Sequence, residues 1–141
     1  MIELKFQLSV EDGWPPVGIE CLPFEQRDSG YQLTTAPLFV KDLSVGDIIS
    51  PAIGDDGSVV SWVHIAKSDR TTIWMLRLGA TVSIEPALKR LRELGCNTVC
   101  LEELGSFAID VPGELPMESV DEVLASLNAD EIACVFPSFR H

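Results

Sequence analysis

Basic residues are scarce in this sequence: ten Lys and Arg stand against twenty-two Asp and Glu, a formal net charge of −12. A surface of that sign repels nucleic acid and anionic membrane, so neither is an expected partner. No apolar run approaches the roughly 18 to 20 residues that span a bilayer. Residues Ile2, Leu4 and Phe6 alternate with Glu3 and Lys5. They therefore lack the continuous apolar core of a secretory signal, and a cytoplasmic protein is expected. No G-x-G-x-x-G and no G-x-x-x-x-G-K-[ST] occurs, so there is no phosphate cradle to read and no cofactor is expected.

Candidate catalytic and metal-binding groups are equally thin. There are two histidines, His64 and His141. The terminal His141 reads as disordered. His64 lies between Val63 and Ile65 on a strand pattern and reads first as a structural or surface residue. The enzymatic alternative makes it a general base with Ser68, Asp69 or Thr71. Cys21, Cys96, Cys100 and Cys134 read as reduced, buried, small hydrophobes. Cys96 and Cys100 form a C-x₃-C without a second close pair, so no zinc site is expected. Gly54-Asp55-Asp56-Gly57 lacks the alternating oxygen ligands of a calcium loop and is a hairpin turn. The prediction is a protein that is not an enzyme.

What the sequence does contain is acid, unevenly placed. Residues 102–131 hold nine acids and no Lys or Arg. Glu118, Asp121 and Glu122 fall on the polar side of a helical pattern in which Met117, Val120, Leu124 and Leu127 are apolar. Acids near a helix N-terminus favour the helix dipole by about 0.3 to 1 kcal/mol each. A plain solvated surface is one reading of this segment. A surface that meets a basic partner is the other, with Glu102, Glu103, Glu114, Glu118, Asp121 and Glu122 as the expected contact residues.

The chain changes period midway. Up to residue 70 the pattern is short strands and turns. Ile2 to Leu8 alternates, Val17 to Phe24 resumes after Trp14-Pro15-Pro16, and Pro23 suggests an edge or bulge. Ile48 and Ile49 pair across the hairpin turn with Val59 to Ala66. This predicts a curled antiparallel sheet or partial barrel. From 71 to 137 the order reads β-α-β-β-α-β, a ferredoxin-like unit. Ser83 is the expected cap of its first helix and Gly95 the expected end. No linker separates 1–70 from 71–137, so an α+β protein with its halves packed as one unit is expected. Trp62 and Trp74 read as core. Trp14 reads equally as an interface anchor or a cap on the sheet.

Trp14-Pro15-Pro16, Glu20, Gly30-Tyr31, Pro37-Leu38-Phe39, Leu43-Ser44-x-Gly46-Asp47 and Ser68-x-x-Thr71 follow one another in this order. The series resembles an uncharacterised bacterial family known only as a domain of unknown function, over about Ile2 to Phe136. That resemblance implies a β-rich first part followed by α/β units, and no reaction. Small acidic proteins of this kind are also similar to the immunity proteins that protect a cell from antibacterial toxins. That similarity implies a cognate toxin as partner, one whose basic cleft an acidic face would occupy. Complementary charge would speed such an encounter to about 10⁸–10⁹ M⁻¹s⁻¹ at low salt. A regulatory module binding a small ligand between the halves is the remaining alternative.

Overall fold

The computed structural model describes every residue from Met1 to His141. The chain divides into two compact units, Met1–Ser68 and Asp69–His141.

The first unit is a closed barrel of five strands in the order β1-β2-β3-β4-β5. These are β1 (Ile2–Gln7), β2 (Ile19–Arg27), β3 (Gly30–Leu33), β4 (Ile48–Ile53) and β5 (Val59–Ala66). Successive strands pair antiparallel, and one parallel bridge, Phe6 to Val59, closes β1 onto β5. Alternation places every second side chain inside. Phe6, Leu22, Phe24, Leu33, Ile49 and Val59 therefore meet in the interior with Val40 and Leu43. The Phe6 and Phe24 rings stack at 5.9 Å. Pro23 is not on an edge strand, since β2 pairs on both sides. The β3 ladder starts one residue later, at Phe24, and Thr34 donates its N–H to the Pro23 carbonyl just beyond β3. Proline has no N–H to return that bond, and the ladder between β2 and β3 stops there.

The second unit is a four-stranded antiparallel sheet in the order β7-β8-β6-β9, with two helices. Its elements are β6 (Thr71–Arg77), α1 (Glu85–Leu94), β7 (Asn97–Leu101), β8 (Ser106–Val111), α2 (Met117–Ala125) and β9 (Ile132–Ser138), with a single 3₁₀ turn at Glu102–Leu104. Ile73, Met75, Phe107 and Ile109 pack with Leu88 and Leu91 of α1 and Val120 and Val123 of α2 in one buried cluster. The first helix departs from expectation at its start. Ile84, buried at 3% exposure, is the N-cap, and no side chain caps the helix. Burial of Ile84 fixes the chain there, so the Ser83 hydroxyl is one residue too early to serve. Gly95 ends the helix at φ 109°, the left-handed conformation that glycine adopts without strain.

Candidate functional site

The six expected contact residues of the second unit lie before and after β8 in the chain. Glu102 and Glu103 lie on the 3₁₀ turn that leads into β8 and are exposed. The Arg77 guanidinium holds Glu102 twice, by its carboxylate at 3.2 Å and by its carbonyl at 3.1 Å. Glu114, Glu118, Asp121 and Glu122, also exposed, follow the far end of β8. The six residues of β8 carry the chain about 17 to 20 Å from the turn that bears Glu102 and Glu103 to the loop that bears Glu114. The structure thus places Glu118, Asp121 and Glu122 on α2, Glu114 in the loop before it, and Glu102 and Glu103 on a separate turn before β8.

The local reason for the three on α2 is the helix. Pro116 is the N-cap, in the extended conformation its ring favours, and no side chain caps the free N–H groups. Val120 and Val123 turn into the core, with Met117, Leu124 and Leu127 packed beside them. A 3.6-residue period then directs Glu118, Asp121 and Glu122 outward. One acid of the segment 102–131 does not join the surface. Asp110 is 1% exposed on β8. Its Oδ1 accepts from Arg70 Nε at 2.9 Å, and its Oδ2 from Arg70 Nη2 at 2.6 Å and Asn97 Nδ2 at 2.9 Å. The bonds from Arg70 to this carboxylate raise the Arg70 pKa above its ordinary value.

Beside α2 lies an open groove of about 580 Å³, bounded on its other side by β9. Leu124, Leu127, Ile132, Cys134 and Phe136 line it, and Asp121 stands among the lining residues. The sequence reading missed this feature. The signal for it was a short apolar strand, Ile132 to Phe136, following the acidic helix; only the sheet order reveals that the strand is an edge.

His64 has the structural setting expected first, and His141 does not have the disorder expected of it. His64 Nε2 lies 2.9 Å from Oδ2 of Asp47, whose side chain is fully buried. The same carboxylate accepts the Ser44 N–H at 3.0 Å and the Ser68 N–H at 2.8 Å. A carboxylate only accepts, so Nε2 is the nitrogen that donates in this pair. The hydroxyl of Ser68 donates to the Val45 carbonyl, and Thr71 Oγ1 accepts from the Arg140 N–H. His141 is held rather than loose: its Nε2 lies 2.8 Å from the Pro112 carbonyl and its Nδ1 2.6 Å from Thr71 Oγ1.

Other buried polar groups hold loops. Glu20, at 9% exposure, accepts the N–H groups of Leu38, Phe39 and Val40 at 2.6, 3.0 and 3.0 Å. Burial pushes this carboxyl above its ordinary pKa, against the pull of the three N–H groups. Trp14 is 44% exposed and meets Phe39 edge to face at 5.9 Å. Trp62 and Trp74 are half-buried, and Trp62 packs beside the barrel core. The expectation of four buried cysteines fails for Cys21 and Cys100, which are exposed. Cys21 lies between the inward Glu20 and Leu22 on β2, and Cys100 is on β7, at the end of the sheet order. Burial pushes the Cys96 thiol up to about 11. No three His, Cys, Asp or Glu side chains gather as a metal ion would require.

A crystal structure described as a hypothetical protein from Neisseria gonorrhoeae is similar over 100% of this chain and 98% of that one, with a TM-score of 0.74 at 15% identity. At that identity the likeness is one of fold. No curated protein matches the sequence significantly. Residues 22–134 match the family model described as a domain of unknown function, DUF4265. That span takes in Glu20's loop partners Leu38 to Val40, the Asp47–His64 pair and the acidic helix, and the chain belongs to the DUF4265 family.

Proposed function

We propose that the chain is an immunity protein that binds and neutralises a cognate antibacterial toxin domain in the cytoplasm, and that it is not an enzyme. The observation that carries this reading is the set of exposed acids Glu114, Glu118, Asp121 and Glu122, within a segment that has no Lys or Arg. Toxins that act on nucleotides or nucleic acids carry basic clefts to hold phosphates. A carboxylate-bearing helix offers such a cleft the same sign of charge that its substrate does. At −12 overall, the protein would attract a basic partner over a Debye length of about 8 to 10 Å. Glu102 and Glu103, at the other end of β8, are assigned a secondary part, in steering rather than in the contact itself.

We further read the second unit as a ferredoxin-like split βαβ pair, a reading supported by its strand order β7-β8-β6-β9. In such a unit the two helices cover one face of the sheet and leave an edge strand beside α2.

The test is recovery of a partner by the tagged chain from its own organism, followed by expression of that partner in a fresh host. The reading expects the partner to arrest growth alone and to be tolerated when the chain is present. A partner that is harmless alone would remove the immunity role and leave a binding protein.

A further inference from the structure

β9 is an edge strand, paired only with β6. Edge strands in soluble proteins are commonly protected by lysine, proline or a bulge. Between Ile132 and Phe136 there is no Lys, Arg or Pro. Proline appears at 137, and the register slips opposite Thr72 to Trp74, so the protection starts only where that stretch ends. Val135 and Phe136 are 53% and 43% exposed. The apolar groove along α2 runs beside the same residues, with Asp121 in its lining. Asp130 and Glu131, both exposed, precede the strand.

From this we infer that the β9 edge takes an extended segment of a partner protein as an added strand, with alternate apolar side chains entering the α2–β9 groove and flanking Lys or Arg meeting Asp121, Asp130 and Glu131. The inference rests on the binding role proposed above and names the surface and the chemistry of its occupant. Strand addition supplies main-chain hydrogen bonds for affinity, while the groove reads every second side chain. Charge selects the occupant. Antiparallel pairing of β9 with a second copy would bring two molecules of charge −12 together with their acidic rims adjacent, whereas a basic segment gains from the same rim.

The experiment uses the full chain, isotopically labelled, and a peptide of about nine residues, long enough to pair with the free stretch of β9. The peptide carries valine at alternate central positions, threonine between them and lysines at both ends. Amide shifts and hydrogen exchange are followed at low salt. The expected result is binding that slows exchange of amides within Ala133–Phe136, weakened about tenfold or more by Phe136→Lys and again by Asp121→Lys. A peptide with glutamates in place of the lysines should bind about tenfold more weakly or worse. Two variants at exposed positions guard against one that misfolds. Shifts lying outside α2 and β9, or affinity unchanged in both variants, would overturn the inference. So would a dimer whose β9 amides are already protected without peptide, because a second copy would then be the occupant. A toxin recovered by the chain but contacting it elsewhere sinks this inference and spares the immunity role; peptide docking at β9 without any toxic partner does the reverse.

Discussion

The imidazole of His64 on β5 donates from Nε2 to the carboxylate of Asp47, 2.9 Å away and fully buried. The pair ties the strand to the turn before β4, since Asp47 also holds the N–H groups of Ser44 and Ser68. That is an architectural task. Asp47→Ala leaves two N–H groups without their acceptor, and a buried donor left unmade costs about 1–3 kcal/mol. Urea unfolding should therefore show a loss of at least that size, with His64→Ala costing less. Equal losses in the two variants would mean that the histidine bond, not the two backbone bonds, gives the carboxylate its importance.

Glu20 offers a pH test. Its folded pKa is raised, burial being the largest cause. A raised carboxyl pKa means that the folded state holds its proton more tightly than the unfolded one. The contribution to stability is then fully present below the ordinary value of 4.5 and declines as pH rises through the folded value. Glu20→Gln does not titrate, so the stability gap between wild type and variant should narrow from pH 4.5 to pH 7. Paired unfolding curves at the two pH values measure this. A widening gap would show that the three N–H bonds outweigh burial.

Arg70 and Asp110 form a two-point pair in which the burial is unequal: the arginine side chain is 26% exposed and the aspartate 2%. Removing the arginine strands a buried charge with only Asn97 for company. Removing the aspartate leaves a cation that reaches water. Breaking a buried pair costs about 3–5 kcal/mol when a charge is left uncompensated. Arg70→Leu should approach that figure in chemical denaturation, and Asp110→Asn should fall below it.

Gly113 marks a close approach in the turn after β8. A Cβ there would collide with the Asp69 carboxylate. Gly113→Ala should destabilise by less than the about 1–3 kcal/mol of core overpacking, because the exposed Asp69 carboxylate can swing aside. Asp69→Ala should recover most of it in the double variant. Strict additivity of the two single effects would contradict the contact.

Much of the fold is readable in the sequence, because periodicity reports burial directly. The Ile2–Leu4–Phe6 alternation, the apolar stripe of α2 and Gly95 at the end of α1 all follow from which side chains must leave water. The bond from His64 to Asp47 spans seventeen residues and exists only because β4 and β5 pair with Ile49 opposite His64. Asp110 looks like one more surface acid until β8 is seen between β7 and β6, with Arg70 and Asn97 beside it. The same ignorance of strand order hid the β9 edge and the separation of Glu102 and Glu103 from the α2 acids. Several of the residues that carried the family resemblance, among them Glu20, Ser44, Asp47 and Ser68, are those that hold loops with buried bonds in the first unit. They speak for the architecture of the family, and the acidic helix has to be judged by its own chemistry.

The most direct measurement of the binding claim is a pull-down from the source organism at low and high salt, with wild type and the triple variant Glu118→Lys, Asp121→Lys, Glu122→Lys compared by mass spectrometry. The account predicts one basic protein recovered stoichiometrically by the wild type. High salt should reduce that recovery, and the variant should lose about tenfold or more of it. Background alone at low salt, or equal recovery by the variant, would contradict it.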